Sequence, residues 1–169
     1  MRSLRMLALI VVVVLVQVTV FPHLRIAGVA PDLGLVVALA VGYHDGPEAG
    51  AIAGFVAGFG FDLFLETPLG LDALAYALVG YGVGIIEGGL LRSPRWLPSV
   101  LGVAGGLAGG LILIGIGVLA GVENVKGTHG VQTIAIAALY DGLLAPFVFF
   151  AVTRTVGRAD DIRTSWSIR

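Results

Sequence analysis

GPEAGAIAGFVAGFGFDLFLETPLGLDALAYALVGY, residues 46–81, is the stretch that decides how the chain folds. Gly46, Gly50, Gly54 and Gly58 recur every fourth residue and lead to Asp62, so at helical spacing a row of positions without side chains, then a carboxylate, lies along one face. Such a face accepts a second helix at close range. Glu66-Thr67-Pro68 turns the chain, and residues 69–86 run back with Gly80 and Gly84 at the same spacing and Gly88 just beyond. The stretch predicts a tightly packed helical hairpin in a membrane, with an acidic group near its tip.

Composition agrees with a membrane setting. Of the 169 residues 57% are hydrophobic and only 12% charged, and the mean hydropathy is +1.00, which excludes a water-soluble domain of this size. Twenty-six glycines would be costly in helices surrounded by water, but in membrane helices they let backbones approach closely. There is no cysteine, so disulfides, thiolate metal sites and cysteine nucleophiles are excluded.

Working outward, residues 4–21 form a valine-rich first span. It resembles a secretory signal but lacks a small-x-small cleavage site, and Pro22 ends it. The second apolar run is short. Counted over 29–43, with Pro31 in its first turn and Asp32 at the positive helix end, it must either cross a thinned region of bilayer or lean on its neighbours. A turn at 44–48 leads to spans at 49–65 and 69–86. A polar connection follows at 87–96, then a fifth span at 98–121 with Gly102, Gly106 and Gly110 on one stripe and Gly105 and Gly109 beside it. After a loop at 122–130 comes a sixth span at 131–152. The reading is an all-α integral membrane protein: one six-helix transmembrane bundle over residues 1–153 with a short second span, and a basic cytoplasmic tail over 154–169.

Six crossings put Arg2, Arg5, Arg92, Arg95, Arg154, Arg158, Arg163 and Arg169 on one side and only Arg25 and Lys126 on the other. The positive-inside rule then makes both termini cytoplasmic. If the second segment does not cross, the split weakens to seven against three and the N-terminus moves outside.

The polar residues within the spans are the candidates for chemistry. Asp141 falls near the middle of the sixth span, Asp62 in the outer third of the third, and Gln17 in the outer part of the first. An intramembrane carboxylate costs several kcal/mol unless it is neutral, hydrogen-bonded or wet. One reading is a proton or ligand site formed by Asp62 and Asp141 with Tyr76 and Tyr140. The other is that these groups tie helices together, and the absence of intramembrane Arg, Lys or His to complete a relay favours it. Asp72 and Glu66 are expected to be solvated or at helix ends. The glycine rows, Gly46, Gly50, Gly54 and Gly58 with Gly80 and Gly84, read as helix packing inside the chain, or as a partner or homodimer face together with Asp62. No phosphate-binding loop, metal-ligand spacing, nucleophile-and-base pair or nucleic-acid-binding pattern is present, so no catalytic residue, cofactor or metal is expected.

Pro31-Asp32-Leu33, Gly46-Pro47, Gly50, Gly54-Phe55, Gly58, Asp62-Leu63, Pro68-Leu69-Gly70, Ala73-Leu74 and Gly80-Tyr81, in this order and spacing, resemble the signature of the bacterial rod-shape-determining MreD family. The resemblance implies a non-enzymatic component of the cell-elongation machinery in the cytoplasmic membrane. Such a component binds MreC, with MreB, RodA and a class B penicillin-binding protein in the wider peptidoglycan-synthesising complex. Family members often look to have Asn where this chain has Asp141, which favours the helix-tying reading. The family also looks like the six-helix substrate-binding subunits of energy-coupling-factor vitamin transporters, so a small-molecule-binding transporter subunit is the alternative. That alternative expects an Ala-x-x-x-Ala docking face on the first helix, where this chain has only Ala8. Cysteines introduced at positions 45 and 126 are expected to react with an impermeant thiol reagent from opposite faces of the membrane; labelling from the same face overturns the six-span topology.

Overall fold

The computed structural model describes residues 2–24, 28–64, 69–87, 96–119 and 128–156. These form six α-helices: α1 (Arg2–Thr19), α2 (Leu33–Asp45), α3 (Pro47–Asp62), α4 (Leu71–Glu87), α5 (Leu97–Leu119) and α6 (Thr128–Val156). A 3-10 turn, Phe21–His23, with Pro22 in its first turn, follows α1. Arg25, the 65–68 link with Glu66, Gly88, the connection carrying Arg92 and Arg95, the loop carrying Glu123 and Lys126, and the tail beyond residue 156 lie outside the described residues. Among the described residues α1, α5 and α6 are long and apolar enough to cross a membrane, whereas α2 and α4 are shorter apolar helices.

The short second helix is the centre of the molecule. All its residues from Leu33 through Tyr43 are buried, and it touches every other helix. A helix that is apolar all round belongs in such a position. It therefore leans on its neighbours on all sides and presents almost nothing to lipid. Its bounds differ from the 29–43 expectation. Residues 29–32 are not helical and Pro31 stands outside the first turn, because Asp32 is the N-cap, its carboxylate accepting from the Leu35 N–H at 3.1 Å. At the other end the helix runs on through His44 and Asp45.

The expected five-residue turn at 44–48 shrinks to Gly46 alone. Its φ of +91° is open to glycine at little cost. It closes α2 by donating to Gly42 O at 3.0 Å and opens α3 by accepting from Gly50 N at 3.0 Å, with Pro47 in the first helical turn. The sixth helix is longer than expected. It starts at Thr128 and continues through Pro146 to Val156, so Arg154 belongs to its last turn, 4.7 Å over the Phe150 ring, and not to a tail.

The glycine rows account for how closely the helices lie. A Cβ on Gly54 would collide with the Tyr76 carbonyl and sit 2.8 Å from Ala77 N, and one on Gly58 would sit 2.5 Å from Ala73 N, so α3 meets the backbone of α4 directly. At one point three backbones converge: a Cβ on Gly50 would lie 2.5 Å from both Gly42 Cα and Gly80 O, and one on Gly80 would lie 2.5 Å from Gly50 O. Gly84 closes the far end of the hairpin against Pro47 and Gly46. Gly46 is the member of the row with open space where its Cβ would be, so it turns the chain while its neighbours pack. On α5 the two adjacent stripes have different neighbours. Gly102, Gly106 and Gly110 face α6, while Gly105 and Gly109 receive Leu39 and Leu35 of α2. Gly50, Gly54, Gly58, Gly80 and Gly84 are thus occupied by helices of the same chain. The outer face of the hairpin carries Ile52, Phe55, Phe59, Leu74, Leu78 and Ile85, all exposed.

Gly54→Leu is expected to cost several kcal/mol through overpacking against the Tyr76 backbone, and to abolish accumulation of folded protein. Ile52→Leu, at a position 62% exposed, is expected to leave accumulation unchanged. Equal yields of the two variants after detergent extraction and gel filtration overturn the packing account.

Candidate functional site

Two polar clusters lie inside the bundle, each at the N-terminus of a helix. The first four N–H groups of any helix have no partner within it, and in an apolar interior each orphan costs about 1–3 kcal/mol. For α2 the partners come from its own Asp32 and from two other helices, and a third helix holds Asp32 in place. Gln17, buried on α1, donates from Nε2 to the Pro31 carbonyl at 2.6 Å and accepts from Leu33 N at 3.1 Å on Oε1. Asp141, buried on α6, accepts from the Asp32 N–H at 2.7 Å. Tyr76, buried on α4, donates its hydroxyl to Asp32 Oδ2, while Asp32 Oδ1 caps Leu35. One side of the Tyr76 ring fits against Gly34, where a Cβ would stand 3.0 Å from Cε2.

The second cluster is at the hairpin tip. Asp62 is the last residue of α3, and its buried carboxylate receives Gly70 N at 2.8 Å and Asp72 N and Ala73 N at 3.3 Å each. It thereby caps α4 from the neighbouring helix and complements the positive end of the α4 dipole. Gly70, at φ +97°, presents its N–H to that carboxylate. Asp72 stands at a helix end as expected but is buried, not solvated, because Asp62 closes over the first turn of α4.

Three of the four candidates of the proton-or-ligand reading are linked through residues outside that set: Asp72, whose carboxyl hydrogen-bonds Asp62, is close enough to Asp32 to interact with its charge, and Asp32 is the residue around which Asp141 and Tyr76 meet. Asp141 and Tyr76 meet around Asp32, Asp62 sits at the hairpin tip, and Tyr140 lies with Phe21, His23, Leu24 and Pro31 along a surface cleft. The hub is Asp32, which the sequence reading places merely near a helix end. The signal that identifies it is an Asp directly before an apolar helical run and directly after a Pro, which is an N-cap pattern. Gly42 also escapes the sequence reading, although the fourfold spacing extends back to it from Gly46.

Chemically the arrangement holds backbone. Among the described residues no buried side-chain nitrogen or oxygen lacks a hydrogen-bond partner, and no group of His, Asp and Glu could hold a metal ion. Asp62 and Asp141 both take main-chain N–H groups as donors, and no described Arg, Lys or His takes part in either set of hydrogen bonds.

If Asp141 serves as an acceptor for a main-chain donor, its charge is dispensable. Asp141→Asn is expected to keep the unfolding midpoint of the purified protein close to that of the parent. Asp141→Leu, which orphans the Asp32 N–H, is expected to lose about 1–3 kcal/mol. An Asn variant as unstable as the Leu variant overturns the acceptor role.

Neither a curated protein nor a solved structure matches the chain. A family profile described as rod shape-determining protein MreD matches residues 1–154, which takes in both polar clusters, the glycine-packed hairpin and five of the six helices entire. With three helices among the described residues long and apolar enough to cross a membrane and a match over nearly its whole length, the chain belongs to the MreD family of rod shape-determining membrane proteins.

Proposed function

We propose that the chain is a non-enzymatic scaffold of the bacterial cell-elongation machinery, which binds MreC in the cytoplasmic membrane and so helps direct peptidoglycan synthesis along the side wall. The observation that carries this reading is the family match over residues 1–154. MreB, RodA and a class B penicillin-binding protein belong to the wider complex in this reading. The excess of arginine on one side of the six-span topology supports cytoplasmic termini.

The packing suits such a role. Because α2, α3 and α4 touch backbone to backbone, they form a stiff unit whose outer surface keeps its shape. A single-pass partner helix can lie in a groove along an edge of that unit without first having to order it. The glycines and Asp62 support this surface from behind, and the contact itself falls to residues such as Phe55 and Phe59, whose rings stack with centroids 6.1 Å apart. Homodimers can form through the same class of surface.

Six helices around a short second one are also the build expected of an energy-coupling-factor substrate-binding subunit, and the likeness is kept as a proposal about architecture. A vitamin-binding role draws no support from the polar core, whose buried groups all have partners among the described residues.

Affinity capture of the tagged chain from native membranes is expected to recover MreC, and depletion is expected to turn rods into rounded cells. A tightly bound small molecule with no elongation proteins, or unchanged rods in an organism that elongates along its side wall, overturns the scaffold reading.

A further inference from the structure

A cleft of about 420 Å³ opens on the flank where the link from α1 to α2 meets α6. Phe21, His23 and Leu24, which follow α1, line it together with Pro31, which precedes α2, and with Tyr140 and two leucines of α6. The lining is apolar except for His23 and Tyr140, and each of these has a polar atom to spare. The Tyr140 hydroxyl makes no hydrogen bond within the chain, and because no buried side-chain oxygen among the described residues lacks a partner, that hydroxyl is open to the surface. On His23, Nδ1 lies 3.1 Å from the Thr19 carbonyl, which can only accept, so Nδ1 carries the hydrogen and Nε2 is left for another partner.

The medium outside this cleft is lipid. At 1.5 Å per residue Gln17, which bonds Pro31, stands about 18 Å along α1 from Arg5, and Asp141, next to Tyr140, about 20 Å along α6 from Arg154. Two helices thus agree that the cleft lies in the half of a ~30 Å hydrocarbon core away from those arginines, with about 10 Å left to the boundary. Side chains of a helix lean toward its N-terminus, which on α6 points to that boundary, so the Tyr140 hydroxyl reaches toward the depth of the lipid ester groups. Water is scarce there, and a hydroxyl without an acceptor is costly. A partner helix, about 10–12 Å across with its side chains, is too broad for a cleft of this volume, whereas a single acyl chain is narrow enough.

We propose that the cleft between the α1–α2 link and α6 is a binding site for one phospholipid, its acyl chain against the α6 leucines, an ester carbonyl accepting from the Tyr140 hydroxyl, and His23 facing the headgroup. No residue of the α3–α4 hairpin lines the cleft, so the site goes beyond the partner-binding reading and can be filled while a partner is docked there.

Trp96→Phe and Trp166→Phe remove both native tryptophans. In that background Phe21→Trp reports on the cleft, and Phe147→Trp, at an exposed position of α6 that does not line it, reports on the surrounding lipid. Each purified variant in detergent micelles is titrated with brominated phosphatidylcholine. Quenching at position 21 is expected to saturate at a low mole fraction of lipid, and quenching at position 147 to rise in proportion to that fraction. Tyr140→Phe removes a hydroxyl that bonds nothing in the chain, so the fold is expected to persist. It is expected to raise the half-saturating mole fraction at position 21 about three- to tenfold, the net worth of one hydrogen bond, and to leave position 147 unchanged. The same lipid dependence at both positions overturns the proposal, and so does a half-saturation at position 21 that Tyr140→Phe does not move. An absence of quenching at position 21 overturns it too, since it would mean that protein covers the cleft. If Phe21→Trp does not fold, Leu24→Trp reads the same cleft.

Discussion

A helix that begins inside an apolar interior must find partners for its first N–H groups within the protein, and much of this structure follows from that demand. The start of α2 is served by its own Asp32, by Gln17 of α1 and by Asp141 of α6, while Tyr76 of α4 holds Asp32 in place. Four helices are thereby fixed around one point. The polar side chains that look most expensive in the sequence are the ones that let a short central helix persist in a membrane.

The same logic of backbone satisfied by backbone-facing groups extends to the hairpin. Asp62 does for α4 what Asp141 does for α2, each from a different helix than the one it serves. Between these two points the glycines bring α2, α3 and α4 into direct main-chain contact. Close approach supplies dispersion contacts where lipid offers no hydrophobic driving force. The core is therefore stiff, in a chain that belongs to a family concerned with rod shape.

The hairpin is legible in the sequence because a fourfold glycine spacing that ends in a carboxylate has one ready physical meaning in so apolar a chain, namely close contact between helices. Family membership is legible for a related reason: residues 31–81 contain the glycines, prolines and acids that the fold cannot easily exchange. The bounds of α2 are not legible. Hydropathy cannot distinguish Val29 and Ala30, which precede the helix, from Leu33, which begins it, and the distinction rests on a side-chain cap. Nor can spacing say which neighbour each stripe faces. Gly102 and Gly105 differ by less than one helical turn, yet one meets α6 and the other meets Leu39. The clustering of Asp32 with Gln17 and Asp141 joins residues far apart in the chain, and local pattern carries no information about such a meeting.

The partners of Asp32 also impose an order on the making of the protein. Gln17 is synthesised before α2, Tyr76 soon after it, and Asp141 only with the sixth helix. Until α6 emerges and swings into place, the Asp32 N–H has no Asp141 to receive it and the stripe of α5 that ends at Gly110 has no helix to lie against. A segment that leaves the ribosome late thus acts as the keystone of segments inserted early, and a nascent chain missing only that helix carries its defect at the centre of the bundle.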